Sequence, residues 1–388
     1  MKILILSSEF PPGPGGIGTH AYQLAKNFAL SSHEVQVLTP QDYASDDEIV
    51  SFNGSQPFSV SRFINGKSTI CKALTRISEL NSSLRDFKPE VVLVSGSRSI
   101  WMTAFLMTFS RDVPWVVVAH GTEFGQLHGL NAWLTKLSAN QASALICVSE
   151  YTRQAVRALG VNTPPMEVVH NGADDAQYFK LEQDKIIELR RALGVEGKFV
   201  LLTVGNVSAR KGQEVVIRAL PAVLQKAPQV VYWMAGLPTE RESLEKLAKD
   251  LVVENSIRFF DRVSNQRLLE LYNACDLFVM TSRQLENGDF EGYGIAVIEA
   301  ALCGKAAVVS DNSGLAEAVL DEQTGALVPQ NDPEATAKAV IHLIENPHEL
   351  KRLAQNAFSK ASKQTWSEVS ATYLDVFKQI ITQVEGKN

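Results

Sequence analysis

Short apolar runs recur along the chain, and most lead first into a polar or glycine-rich turn and then into apolar positions at helical spacing. Residues 3–6, 91–94, 115–119 and 144–148 are continuous runs, and Val35 and Val37 alternate with polar neighbours. Unbroken runs of this length are expected of central parallel strands covered on both faces. Between them, Ala21, Leu24, Ala25 and Phe28 trace one helical face, and Ile70, Leu74, Ile77, Leu80, Leu84 and Phe87 trace another. Residues 181–198 are mostly polar and read as an interdomain linker. The pattern restarts at residues 199–204 and repeats at 230–234, 257–263, 277–280, 306–309 and in the short run before Pro329. Helices are predicted over 240–252, 334–345 and 347–362, and a last one carries Trp366, Val369, Tyr373, Val376, Phe377 and Ile380. Strand–helix alternation over both halves predicts an α/β protein with two doubly wound sheets.

Composition narrows the class. A chain of 388 residues suits two domains of ordinary size, and 45% hydrophobic with 21% charged residues describes a soluble globular protein. The net charge of −6 argues against a nucleic-acid binder. Cys71, Cys147, Cys275 and Cys303 form no CxxC or zinc pattern, so reduced thiols in a cytoplasmic protein are expected. The first apolar run is too short for a signal peptide, and no segment reaches transmembrane length. Lys72, Arg76, Arg85 and Lys88, on or near one helix, suit peripheral contact with an anionic membrane face, an acidic acceptor, or a plain solvated surface.

Chemistry concentrates at the carboxyl ends of the predicted strands. The run 277–280 passes through a polar loop into Glu291-Gly292-Tyr293-Gly294, and a helix starts near Ile295 and stops at Gly304. The unpaired amides at such a helix start suit a phosphate, here through Gly294 and Ile295. Glu299, further along the helix, is placed to accept hydrogen bonds from ribose hydroxyls, and Glu291 to reach a sugar beyond the phosphates. The alternative is a solvated loop carboxylate and a helix-surface charge. Arg210 and Lys211, after the strand 199–204, suit a pyrophosphate. Gly15 and Gly16 follow the first strand and let backbone approach a ligand closely. They do not make a dinucleotide-binding GxGxxG. His120-Gly121-Thr122-Glu123 follows the strand 115–119, a position where open α/β sheets bind ligands. His128 fits no pattern and reads as a loop residue.

These words have a family likeness. EGYGIAVIEA, residues 291–300, resembles the E-x7-E signature of retaining glycosyltransferases of family 4, and TSR before it and ALCGKAAVVS after it are similar too. The resemblance covers nearly the whole chain. It implies the GT-B fold: a first Rossmann-like domain over residues 1–185, mostly for the acceptor, and a donor domain over 195–365. Residues 366–388 are then expected to cross back onto the first domain, with the chemistry in a cleft between the two. Glu291 is implied to contact the donor sugar, Glu299 the ribose, and Gly15-Gly16 to lie beside the donor phosphates. His120, in a His-Gly motif, is implied to lie near the transferred sugar. Val263 and Ser264 are implied to read the base, and Gly292, Tyr293, Gly294 and Ile295 to line the donor site. The family's G-R-x-x-x-x-K-G element appears with Asn206 for its arginine; Lys211 keeps its place, and Arg210 is expected to supply the second cation.

The resemblance implies transfer of a hexose from a UDP- or GDP-sugar to a hydroxyl acceptor, with retention. That acceptor would be a sugar, a lipid-linked sugar or a small molecule, and the mannosyltransferase-like context points to polysaccharide, glycolipid or glycoside synthesis. No metal or other cofactor is expected, the nucleotide sugar being a co-substrate. His120, Glu291, Arg210 and Lys211 are the catalytic candidates. Rival readings are a nucleotide-sugar epimerase of the same fold and a catalytically silent nucleotide-sugar-binding module.

Overall fold

The computed structural model describes residues 1–13, 15–40, 44–63, 69–109, 113–125 and 129–386; His128 lies outside them. Two compact units result: residues 1–171 with 366–388, and residues 172–365.

Within the first unit the described strands are β1 (Lys2–Ser7), β2 (Glu34–Thr39), β3 (Ser59–Arg62), β4 (Val91–Ser95), β5 (Trp115–Ala119), β6 (Ala144–Cys147) and β7 (Met166–Val168). They form one sheet in the order β3-β2-β1-β4-β5-β6-β7, and every neighbouring pair is parallel. Side chains from both faces of β1, β4 and β5 are buried. This accounts for unbroken apolar runs where an alternating pattern would mark a half-exposed sheet. Sequence order reverses between β1 and β4, which puts the switch point at the loops leaving those strands. The helix Gly16–Leu30 follows β1 and meets the last helix, Trp366–Glu385, where the rings of Phe28 and Phe377 lie 5.7 Å apart. The apolar stripe of the last helix is therefore spent inside the first unit.

The second unit repeats the plan with β8 (Phe199–Val204), β9 (Val230–Ala235), β10 (Ile257–Phe260), β11 (Leu277–Met280), β12 (Ala307–Ser310) and β13 (Gly325–Val328). The order is β10-β9-β8-β11-β12-β13, again parallel throughout, with its reversal between β8 and β11. Val216, Leu220 and Val223 of the helix Gln213–Lys226 share a core with Leu201, Val279 and Val308 from the sheet.

Three stretches differ from the sequence reading. A helix, Asp46–Gly54, and β3 occupy a region whose composition marks neither; the helix opens on a capping box formed by Ser45 and Glu48. The stretch expected to be a linker contains the helix Gln183–Ala192. The division between units falls instead at Asn171/Gly172, ahead of the expected end at residue 185. The reason is that the intervening chain is bound to the second unit. Leu181 N–H donates to Asn273 Oδ1 at 2.9 Å, and Arg190 donates to the Ala274 carbonyl at 2.6 Å and to Asp276 at 3.0 Å.

Candidate active site

In the second unit the loops leaving β8 and β11, at the switch point, are knitted together. Arg283 N–H donates to the Arg210 carbonyl at 2.8 Å, and the Arg283 Nε–H donates to the Ala209 carbonyl at 2.9 Å. Gly212 adopts φ +73, and a Cβ there would run into the Thr281 carbonyl, so only glycine lets the two loops approach this closely.

This brings Arg210, Lys211 and Glu291 into one cluster. Glu291 Oε2 accepts from Lys211 Nζ at 2.7 Å and from Arg210 Nη1, and Arg210 Nε lies 3.3 Å from Asp289 Oδ2. Glu291 and Lys211 are each only 12% exposed at the side chain. Burial alone pushes the Glu291 carboxyl up, but the flanking Arg210 and Lys211 outweigh it and hold the group at about 2. Burial pulls Lys211 down against the upward pull of Glu291, whereas Glu291 raises Arg210. Asn206, the departure from the family element, is exposed at the same loop. Asp289 carried no sequence assignment, although it stands two residues ahead of Glu291 in the same loop.

Gly294 caps the helix Ile295–Leu302 with φ +81 and no side-chain cap, so the first amides of that helix have no side-chain acceptor at the cap. Glu299 lies inside this helix and accepts from the Tyr272 hydroxyl at 2.7 Å. Burial lifts its carboxyl to about 7, against the downward pull of that hydrogen bond. Tyr272 was not singled out by the sequence; its partnership comes from a neighbouring helix and has no local signature. Tyr293 is buried, and its hydroxyl accepts from Gln364 Nε2. A Cβ at Gly314 would run into the Gly292 carbonyl, and the Gly314 N–H donates to the Glu291 carbonyl at 3.0 Å. Ser264 caps the helix Asn265–Ala274 by accepting from Arg267 N–H at 3.2 Å, with Val263 just before it.

In the first unit, Gly15 and Gly16 are exposed at the start of the helix Gly16–Leu30. Gly15 takes φ +139, and a Cβ there would collide with the carboxyl of Glu9, which accepts from Gly18 N–H. His120 follows β5. Its ring stands edge-on to His20, centroids 4.7 Å apart, and burial drops its pKa to about 3, so it is neutral at neutral pH. His120 and the Gly15 loop belong to the first unit, and Arg210, Lys211, Glu291 and Glu299 to the second.

Two doubly wound parallel sheets, each followed by polar or glycine-rich loops at strand ends, make a GT-B architecture. The Anabaena protein HepE, solved in complex with UDP, superposes with a TM-score of 0.83 at 24% identity over 98% of this chain and all of that one. The family model Glycosyltransferase Family 4 matches residues 14–177, and Glycosyl transferases group 1 matches residues 185–360. The chain belongs to this glycosyltransferase family, the group 1 or family 4 enzymes. An uncharacterised glycosyltransferase of Methanocaldococcus jannaschii is 27% identical over 97% of this chain and 98% of its own length. A GDP-mannose-dependent phosphatidylinositol monomannoside mannosyltransferase of Mycolicibacterium smegmatis is 26% identical over 89% of this chain and 90% of its own. Among the described residues, no helix is long and apolar enough to cross a membrane.

Proposed function

We propose that this glycosyltransferase moves a hexose from a UDP- or GDP-sugar to a hydroxyl acceptor with retention of anomeric configuration, in the cytoplasm. The observation that carries the proposal is the buried Arg210–Glu291–Lys211 cluster beside the amino end of the helix Ile295–Leu302. Two cations and an unfilled helix start suit a diphosphate. When the diphosphate takes Arg210 and Lys211, Glu291 loses its partners and turns to accept hydrogen bonds from sugar hydroxyls. Arg210 supplies the charge that Asn206 lacks. As the bond from the anomeric carbon to the phosphate oxygen breaks, Arg210 and Lys211 stabilise the negative charge on the leaving diphosphate. The acceptor oxygen bonds to the same face of that carbon, and its proton passes to the departing phosphate. Glu299 holds the ribose, and the backbone at Val263 and Ser264 meets the base. Gly15 and Gly16 lie against the phosphates, and His120 hydrogen-bonds the transferred sugar. No metal or organic cofactor is assigned.

The relatives' use of GDP-mannose and the UDP complex of HepE support a nucleotide sugar as donor and leave both bases in the proposal. The test is a thermal-shift panel of UDP- and GDP-sugars, followed by assay of diphosphate release with and without candidate acceptors. A nucleotide sugar raises the melting temperature by mass action. Diphosphate release that needs an acceptor supports transfer. Turnover of the sugar nucleotide to an isomer without acceptor would establish the epimerase instead, and stabilisation without any turnover the silent binding module.

A further inference from the structure

The first unit contains an acidic side chain that the family motifs leave without a task. Glu123 is 4% exposed and lies in the one-turn helix Thr122–Gly125. Oε2 accepts from the His120 backbone N–H at 3.2 Å, and the backbone N–H groups of Gly121 and Glu123 also act on the carboxyl, while Oε1 is buried and has no hydrogen-bond partner among the described residues. His120 repeats the pattern, with its Nε2 also buried and unpartnered. A buried polar atom without a partner costs free energy, because water is lost and nothing replaces it. Two such atoms within one four-residue turn, beside the glycine loop that follows β1, suit a ligand that completes both.

The chemistry of that ligand follows from the surroundings. His120 is kept neutral by burial, and burial lifts Glu123 to about 7, with Glu9 adding repulsion. His20, packed against His120, is held neutral too, by burial and by His120. Among the described residues no cation bears on Glu123, and a phosphate would meet the Glu123 and Glu9 carboxyl groups. A neutral imidazole nitrogen and a carboxyl oxygen instead match hydroxyl groups, each of which both donates and accepts. We propose that Glu123 is a substrate-binding, specificity-determining residue that works with His120 to hold hydroxyls of a sugar. This rests on the carbohydrate substrate read above and adds a residue to it. The sugar is either the hexose of the donor or a free or acceptor sugar.

The experiment titrates the wild type, Glu123→Ala and Glu123→Gln with UDP, GDP, UDP-glucose and GDP-mannose by calorimetry. Saturation-transfer NMR with free glucose and mannose forms the second arm. The expected result is a loss of about tenfold or more in affinity for the sugar nucleotide in Glu123→Ala, with a smaller loss in Glu123→Gln. The matching free diphosphate should change by no more than about twofold. Sugar nucleotide and diphosphate weakened alike, or neither weakened, overturns the proposal, because Glu123 then only anchors the turn. Where Glu123→Ala does not fold, the isosteric Glu123→Gln decides by the same comparison. If no nucleotide binds the wild type, the donor reading falls and the NMR arm decides this one. A free-sugar signal lost in Glu123→Ala supports it, and a retained or absent signal overturns it.

Discussion

His20 and Tyr373 are 353 residues apart in sequence, yet His20 Nε2 and the Tyr373 hydroxyl share a hydrogen bond of 3.1 Å inside the first unit. Both side chains are buried, and the same histidine packs edge-on against Trp366 and His120. Tyr373→Phe keeps the ring and removes the hydroxyl, leaving the His20 nitrogen unsatisfied. The expected cost is about 1–3 kcal/mol of folding stability, read from urea unfolding. Turnover should fall as well, since the His20 ring that loses this bond packs edge-on against His120. A variant with wild-type stability and rate would show that the bond is idle.

The Lys211–Glu291 pair predicts strong non-additivity. Lys211→Met or Glu291→Gln alone leaves a buried charge short of a partner, costing about 3–5 kcal/mol. The double variant removes both charges, and a coupling of about 1–3 kcal/mol should appear in the cycle. Each single change should also lower turnover by about a hundredfold or more, because diphosphate charge goes unmet as the bond breaks. Additive stabilities would mean that the two side chains do not interact in solution.

Acid should undo the same cluster. The Glu291 pKa is depressed in the folded state from 4.5 to about 2, so its stabilising contribution is complete above 4.5 and disappears as pH falls towards about 2. Urea midpoints of wild type and Glu291→Gln, compared from pH 6 to pH 2, should therefore converge at the acid end. A gap independent of pH would remove the ion pair as its cause.

Glu299 titrates in the opposite sense. Its folded pKa is raised from 4.5 to about 7, so at pH 6 much of it is protonated and a poor acceptor. A ribose that donates to the carboxylate pulls a proton off it, and nucleotide affinity should rise as pH goes from 6 to 8. Phosphate groups titrate nearby, so the control is Glu299→Gln, in which the part of the slope due to this residue is absent. Identical slopes in both proteins would exclude a carboxylate–ribose contact.

Strand runs such as those of β1, β4, β5, β8 and β11 are readable because burial on both faces leaves no room for polar residues. β3 was not, since an edge strand with intermediate exposure, Ser59–Arg62, has no apolar run to show. The helix Asp46–Gly54 buries only Ile49, so its face is silent; its one legible mark was Ser45 followed by Glu48. At the site, Glu291, Glu299 and Lys211 stand out through local words. Asp289 with Arg210 and Tyr272 with Glu299 are pairs made by strands and helices far apart in sequence, and no local pattern encodes them. Glu123 looked like one more polar residue in a turn, because burial of a single side chain leaves no trace in sequence.

The helix Trp366–Glu385 follows residues 172–365 along the chain, yet its Tyr373 and Phe377 pack on His20 and Phe28, which precede them. Residues 172–365 are contiguous, and their core cluster running from Leu201 to Leu353 takes no residue from that helix. The unit 172–365 can thus be finished first, while the one begun earlier waits with Phe28 uncovered until the helix Trp366–Glu385 is made. Loss of the helix Trp366–Glu385 would therefore injure the unit built from residues 1–171 and not the one that it follows.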